Sequence, residues 1–223
     1  MNKRQAPLKI LITAGATREP IDPVRFVSNY ATGFFGLEIA RAARRRGHRV
    51  LVVMGASAVG KAAQRSAGFT TLIVETAREM RGLLRKHFSW CDCLIMNAAV
   101  CDFRPRAQLK RKIKSAGKKI IQLELEKNPD LLAECGRKKG LRLVVGFALE
   151  TEQLERRARE KLRQKNLDII VATQIRNKSH PFGKVKISPL IMDKNDCQLK
   201  LAPVSKARLS RILLDKIESM VYR

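Results

Sequence analysis

The feature that most constrains this chain is its alternation of short, continuously apolar runs with amphipathic helical stretches. The runs are KILITA (9–14), RVLVVMG (49–55), TLIVE (71–75), CLIMNAA (93–99), LVVGFAL (143–149) and DIIVAT (168–173). Between them lie GFFGLEIARAARRRG, TAREMRGLLRKHF, NPDLLAECGRKKG and TEQLERRAREKLRQKN, whose apolar positions recur at helical spacing. Strands that are apolar at every position are expected where helices cover both faces of a sheet. The pattern therefore predicts an α/β fold: a Rossmann-like, three-layer, doubly wound, mostly parallel sheet, with ligands at the carboxyl ends of its strands.

Two segments break the pattern. IIQLELEK (120–127) alternates strictly, which predicts a strand with one wet face. VKISPLIMDKNDCQLKL (185–201) reads as a hairpin turning at DKND, followed by a last helix, SKARLSRILLDKIESMV. These make a small antiparallel extension of the kind that widens a sheet or builds a dimer contact. With no repeat or linker in between, one domain is expected over 1–223, its core over about 8–176 and the hairpin and final helix over about 177–223.

Composition removes several classes of chemistry. The five cysteines are odd in number and never spaced C-x-x-C, which argues for reduced thiols and against a disulfide framework or zinc ribbon. The three histidines, His48, His87 and His180, are too scattered for a histidine metal site or a Ser/His triad. The chain holds no run of about eighteen apolar residues and no signal-like start, so a cytoplasmic protein without a membrane span is expected. Forty-six basic against 20 acidic residues give +26, a charge that attracts nucleic acid, acidic membrane or phosphorylated metabolites, or simply coats a solvated face.

GASAVGKA (55–62) nearly matches a phosphate-binding P-loop, but Ala62 stands where a magnesium-binding hydroxyl is required, so it reads as a turn. No G-x-G-x-x-G fingerprint follows the first strand, which argues against a standard nicotinamide enzyme. The better candidates follow the first, fourth and fifth strands. In GATREPIDPVRFVSNYATGFFG (15–36), Arg18, Arg25, Asn29 and Thr32 offer donors, and Gly33 stands at a helix amino end suited to anions. The competing reading is that its arginines pair with Glu19 and Asp22.

NAAVCDFRPRAQLKRKIKSAGKK (97–119) reads as a mobile basic flap fit to clamp a triphosphate, or as a solvated loop. Phe103 is its only aromatic residue, which disfavours a platform for stacking single-stranded nucleic acid. KNPDLLA places Asn128 and Pro129 at another helix start. Phe147 would contact a base or belong to the core, and Lys161 and Lys165, spaced i, i+4, share one helix face.

The ordered segments ITAGATREPIDPVRFVSN, NAAVCDFRP, KIK, KNPDLLA, VGFALET and KNLDIIVA resemble phosphopantothenoylcysteine synthetase of coenzyme A biosynthesis in its bacterial CTP-using form, over roughly residues 8–220. The resemblance implies a ligase that joins 4′-phosphopantothenate to L-cysteine through an acyl-cytidylate, cleaving CTP to CMP and pyrophosphate with Mg2+. It implies that Asn29, with Arg25 beside it, holds the reacting carboxylate, and that Arg18, Thr32 and Gly33 contact phosphopantothenate. By the same likeness Lys112 neutralises the triphosphate, and Asn97, Ala98, Asp102, Asn128, Pro129, Asp130, Leu131, Phe147, Lys161 and Lys165 bind the nucleotide.

The sequence departs from the family at Phe34, commonly a lysine, at Ser115 in a K-x-K-K pattern, and over Lys184 to Ser188, where acidic and asparagine positions are usual. The family further implies a homodimer. It is usually fused behind a flavin-dependent decarboxylase domain absent from this sequence, so a separate decarboxylase is the expected partner. A basic nucleic-acid-binding relative, or a nucleotide-binding relative without catalysis, is the alternative reading; nucleic acid is not favoured.

Overall fold

The computed structural model describes residues 6–56, 68–114, 119–175 and 181–222. The near P-loop beyond Ala56, with Lys61 and Ala62, lies outside the described residues, as do Ser115 and the 177–180 part of the expected extension.

KILITA forms β1 (Lys9–Ala14), and the loop after it folds back as a small hairpin of β2 (Arg18–Pro20) and β3 (Phe26–Ser28). Helix α1 (Phe34–Arg45) leads into β4 (Arg49–Gly55) and β5 (Thr70–Val74), and helix α2 (Ala77–His87) into β6 (Cys93–Met96). Next come β7 (Phe103–Pro105), β8 (Leu125–Lys127), helix α3 (Leu131–Arg137), β9 (Leu143–Glu150), helix α4 (Leu154–Gln164) and β10 (Ile169–Gln174). Strands β11 (Pro189–Asp193) and β12 (Gln198–Lys200) and helix α5 (Lys206–Val221) complete the described chain.

The sheet order is β12-β11-β10-β9-β6-β1-β4-β5. Its six central and distal strands run parallel, while β11 and β12 are antiparallel additions. Strand order reverses between β1 and β6, which opens a crevice at their carboxyl ends.

Successive residues of each strand enter two different cores. Ile10, Ile12, Val50, Val52 and Met54 face α1 and α5 with Leu37, Ile39, Leu213 and Ile217, whereas Leu11, Leu51 and Val53 face Met80, Leu84, Ala158 and Leu162. Each such large side chain withdrawn from water contributes about 1.5–3 kcal/mol. That two-sided burial is why the strands lack a polar alternation. Edge position changes the rule: in β5, Ile73 is half exposed.

Helix ends follow local chemistry. Thr76 caps α2 by accepting from the Glu79 N–H, and Ser205 caps α5 by accepting from the Arg208 N–H. Helix α1 seats directly on the end of β1 because position 36 is glycine. A Cβ there would lie 2.5 Å from Ala14 Cβ and 3.3 Å from Asn97 Oδ1.

The alternating segment behaves differently from its expectation. Only Leu125–Lys127 is a strand, paired with Phe103–Pro105 in a two-stranded ribbon. Ile120, Ile121, Leu123 and Leu125 are all exposed. Alternation creates a buried face only if a second layer covers it, and among the described residues none does. The predicted hairpin does form, with β11 and β12 turning through 194–197.

The expected histidine and cysteine readings can be placed. His48 is buried, its Nδ1 accepting from the Leu8 N–H and its Nε2 donating to Glu218. It joins β1 to α5, away from the crevice. Cys91, Cys93, Cys101 and Cys135 are buried free thiols, pushed up in pKa chiefly by burial, and Cys197 is an exposed one.

Candidate active site

The loops at the carboxyl ends of β1, β6, β9 and β10 surround a cavity of about 600 Å³. The opening loop contributes Asn29, Thr32 and Gly33; the segment after β6 contributes Asn97, Ala98 and Asp102; the turn before α3 contributes Asn128, Pro129, Asp130 and Leu131. Phe147 on β9 and Lys161 and Lys165 at the end of α4 complete the wall. Residues far apart in sequence therefore meet at the switch point of the sheet.

Backbone bonds fix this wall. Thr13, at the end of β1, accepts from the Asn97 N–H through its carbonyl at 3.1 Å and from the Ala98 N–H through its hydroxyl at 3.2 Å. Asn29 donates from Nδ2 to the Ala99 carbonyl at 3.2 Å, with Cys101 Sγ at 3.7 Å. The Cys101 contact is long and its sulfur a weak acceptor, so the second Nδ2 hydrogen remains for a ligand acceptor at the cavity. Gly33 precedes α1 with φ 81°, a left-handed backbone that presents the helix amino end to the cavity.

Asn128, part of the cavity lining, also braces that lining with its side chain. Asn128 is buried, accepts from Arg104 at 2.9 Å and donates to the Cys101 carbonyl at 2.9 Å, so its side chain clamps β7 to the cavity wall. Helix α3 begins only at Leu131. Asp130 caps it, taking the Ala133 N–H on one oxygen and Lys165 at 2.9 Å on the other. Burial opposes ionisation of Asp130, but these bonds hold its pKa below the usual value.

The lysine pair does line the cavity from one face of α4, as its spacing predicted, and each member carries a carboxylate partner: Lys161 meets Glu150 at 2.6 Å and Lys165 meets Asp130. Phe147 is partly buried, and Phe35 meets its ring edge-on at 5.4 Å. It is therefore both core and cavity wall.

Arg18, Arg25 and Lys112 lie outside the cavity lining. The Arg18 guanidinium stacks over Phe26 at 4.5 Å. The two acids of the opening loop take separate partners: buried Glu19 accepts from the Ala77 N–H at the start of α2, while Asp22 binds Arg25 at 2.6 Å. Lys112 is exposed, on a segment that Leu109, Ile113 and Asp22 tie to the opening loop.

Asp22 is the hub of that tie. Its fully covered carboxylate accepts from the Val24, Arg25 and Ile113 N–H groups and from the Arg25 guanidinium, which in turn donates to the Ile113 carbonyl. The Ile113 N–H is the largest cause of a pKa lowered to about 2; burial opposes it, and the other two N–H groups and Arg25 add to it. A carboxylate more acidic in the folded than the unfolded chain stabilises the fold above pH 3.8, and that contribution disappears as pH falls through about 2. Asp22→Asn is expected to remove this acid component from the urea midpoint between pH 5 and 2. It should also speed Ile113 amide exchange by roughly ten-fold at neutral pH, as the 109–114 segment loosens.

Sequence reasoning missed Cys101, Lys127, Phe182 and Lys206, all on the cavity wall. Cys101 and Lys127 sit inside the motifs already noted. Phe182 and Lys206 come from the antiparallel extension, where no motif pointed to a site.

Residues 6–221 match the family model described as the DNA/pantothenate metabolism flavoprotein C-terminal domain. The coenzyme A biosynthesis bifunctional protein CoaBC of Bacillus subtilis is 36% identical over 219 residues, covering 96% of this chain and 53% of the relative. A cysteine/cysteine sulfinic acid decarboxylase from an unknown prokaryotic organism is 35% identical over 215 residues, with 96% and 59% covered. The chain thus spans little more than half the length of these curated relatives. A solved structure of the C-terminal domain of CoaBC superposes with a TM-score of 0.82 at 32% identity, covering 99% of both chains. Fold order, the crevice and these likenesses agree: the chain belongs to the family of DNA/pantothenate metabolism flavoprotein C-terminal domains and matches the C-terminal domain of CoaBC.

Proposed function

We propose that this chain is a phosphopantothenate–cysteine ligase of coenzyme A synthesis, using CTP. The observation that carries the reading is the convergence of Asn29, the Asn97–Ala98 backbone, the NPDL turn, Phe147 and the Lys161–Lys165 pair on one cavity at the switch point. In this reading the carboxylate of 4′-phosphopantothenate, held at Asn29, attacks the α-phosphorus of CTP. Pyrophosphate leaves and an acyl-cytidylate forms; the amine of L-cysteine then displaces CMP to make the amide.

Such chemistry needs positioning and cations more than a proton-transferring histidine. The cavity supplies both. Asn29 orients the carboxylate, the Asn97 and Ala98 backbone is fixed by Thr13, and the α4 lysines offer positive charge near the nucleotide. The segment bearing Lys112, tied to the opening loop at Leu109 and at Ile113, would bring its ammonium over the phosphates.

Among the described residues no cluster of three or more His, Cys, Asp or Glu side chains could hold a metal by itself. In this reading the magnesium ion is carried largely on the triphosphate, and Asp102 on the cavity wall contacts the nucleotide. When bound, the ion neutralises phosphate charge.

A homodimer is part of the proposal. Exposed Val24, Phe26, Phe103 and Leu125 lie on the two antiparallel ribbons, which touch through β2 and β7. An apolar surface of this kind suits a second copy. Sedimentation equilibrium showing only monomer at micromolar concentration would rule the dimer out. Decarboxylation of the product falls to a separate flavin-dependent enzyme or to a further domain. Among the described residues no helix is long and apolar enough to cross a membrane.

The decisive experiment measures pyrophosphate release from CTP, with ATP in parallel, in the presence of 4′-phosphopantothenate and Mg2+, before and after L-cysteine. Cysteine-dependent turnover with CTP is expected. Folded protein that releases pyrophosphate from neither nucleotide would overturn the ligase.

A further inference from the structure

The structure assigns Lys206 as an anion-binding residue of this cavity, its ammonium receiving a phosphate oxygen of the bound reactants; the assignment rests on the cavity being the ligase site proposed above. Lys206 is the first residue of α5, is 4% exposed, and forms part of the cavity wall. Its Nζ donates to the carbonyls of Pro181 at 2.6 Å and Gly183 at 2.5 Å, both also on the wall. An ammonium has three hydrogens, so one remains without an acceptor among the described residues.

What sets Lys206 apart is the lack of a counterion. Lys161 and Lys165, on the opposite face of the sheet, each hold a carboxylate. No carboxylate of the described residues lies within 4 Å of Lys206. From α1 it faces the Phe34 ring, 6.0 Å away, and from the 181–183 segment only carbonyls; no charged side chain of the described residues meets it in an ion pair.

Position on the helix makes this worse. The amino end of α5 carries the positive end of the helix dipole, which disfavours a cation there. Burial, dipole and the lack of a counterion all oppose the charge, and an anion entering the cavity supplies the counterion and offsets the other two.

The protonation behaviour supplies a readout. Burial alone lowers the Lys206 pKa to about 8. A bound phosphate would raise it again, so binding at pH 8 should take up protons. The oxyanion has two possible sources, the triphosphate of the nucleotide and the phosphate monoester of phosphopantothenate.

Titration calorimetry at pH 8 in two buffers of different ionisation enthalpy separates them, using CTP, 4′-phosphopantothenate and unphosphorylated pantothenate in turn. The ligand whose phosphate meets Lys206 should bind with net proton uptake. In Lys206→Met that uptake should vanish and affinity should drop by about ten- to a hundred-fold, the scale of one charge-assisted bond, while pantothenate binding stays unchanged. A loss confined to CTP names the triphosphate, and one confined to phosphopantothenate names the monoester.

Unchanged affinity for both phosphorylated ligands overturns the assignment. So does an equal loss for pantothenate and its phosphate, which would make Lys206 a support of the wall only. If the wild-type protein binds neither CTP nor phosphopantothenate, the ligase reading fails on its own. Inorganic pyrophosphate then decides for Lys206: lysine-dependent proton uptake on binding upholds it, and no binding overturns it. Should thermal unfolding show Lys206→Met to be misfolded, Lys206→Gln, which keeps a donor for a wall carbonyl and lacks the charge, replaces it in every titration.

Discussion

Asn29→Asp is expected to lower cysteine-dependent turnover by about 10³-fold, while leaving the fold intact. The Asn29 Nδ2 donates to the Ala99 carbonyl, and its side chain lies at the solvent-open edge of the cavity. Aspartate has no donor for that carbonyl, so its oxygens would be repelled by it. In the ligase reading the new charge also faces the substrate carboxylate. Losing one donor that stabilises charge in a transition state costs on the order of 10²–10³ in rate, and the added repulsion places this variant at the upper end. Single-turnover measurement of pyrophosphate burst and amide formation checks it. Wild-type rates for both steps would remove Asn29 from the chemistry. A normal burst with slow amide formation would place it in the second step.

Lys112→Gln is expected to slow pyrophosphate release by about 10²-fold with little change in thermal stability. Lys112 makes no ion pair among the described residues and projects from an exposed segment, so the resting fold does not depend on its charge. Any contribution must come when the flap closes over the phosphates. A cation brought to the leaving pyrophosphate acts where charge develops, and its loss is worth roughly 10²–10³ in rate. Rapid-quench measurement of CMP formation tests this. An unchanged rate would leave Lys112 as a surface lysine and pass its task to the cavity lysines, Lys161, Lys165 and Lys206.

The two variants bear on different parts of the same device. Asn29 sits on the rigid wall, where Ala99 and the end of β1 fix it. Lys112 sits beside Ile113, the residue at which Asp22 and Arg25 anchor its segment. Arg25, expected beside the reacting carboxylate, is engaged within this chain as a strut for that anchor. Asp22 binds it at 2.6 Å and takes the Ile113 N–H as well, so both arginine and flap share one buried acid.

The sequence by itself determined the parallel strands, the helices between them and the switch-point crevice. A strand buried on both faces must be apolar at every position, and Ile10 to Ile12 or Val50 to Val53 leave no other reading. Motif order likewise announced Asn29, the KNPD turn and the lysine pair, because the residues of each lie close together along the chain. Only the tertiary structure decided which side chains face the cavity and which brace it.

Asn128 turned out to clamp Arg104 and the Cys101 carbonyl, and Asp130 to cap α3, because partners many residues away compete for their polar atoms. The alternation in IIQLELEK implied a buried face, yet burial depends on a neighbouring layer that the segment cannot specify. Lys206 was invisible for the same reason. Its local sequence reads as an ordinary helix start, and only the approach of Pro181–Gly183 and α1 turns it into a buried ammonium on the wall of the switch-point cavity.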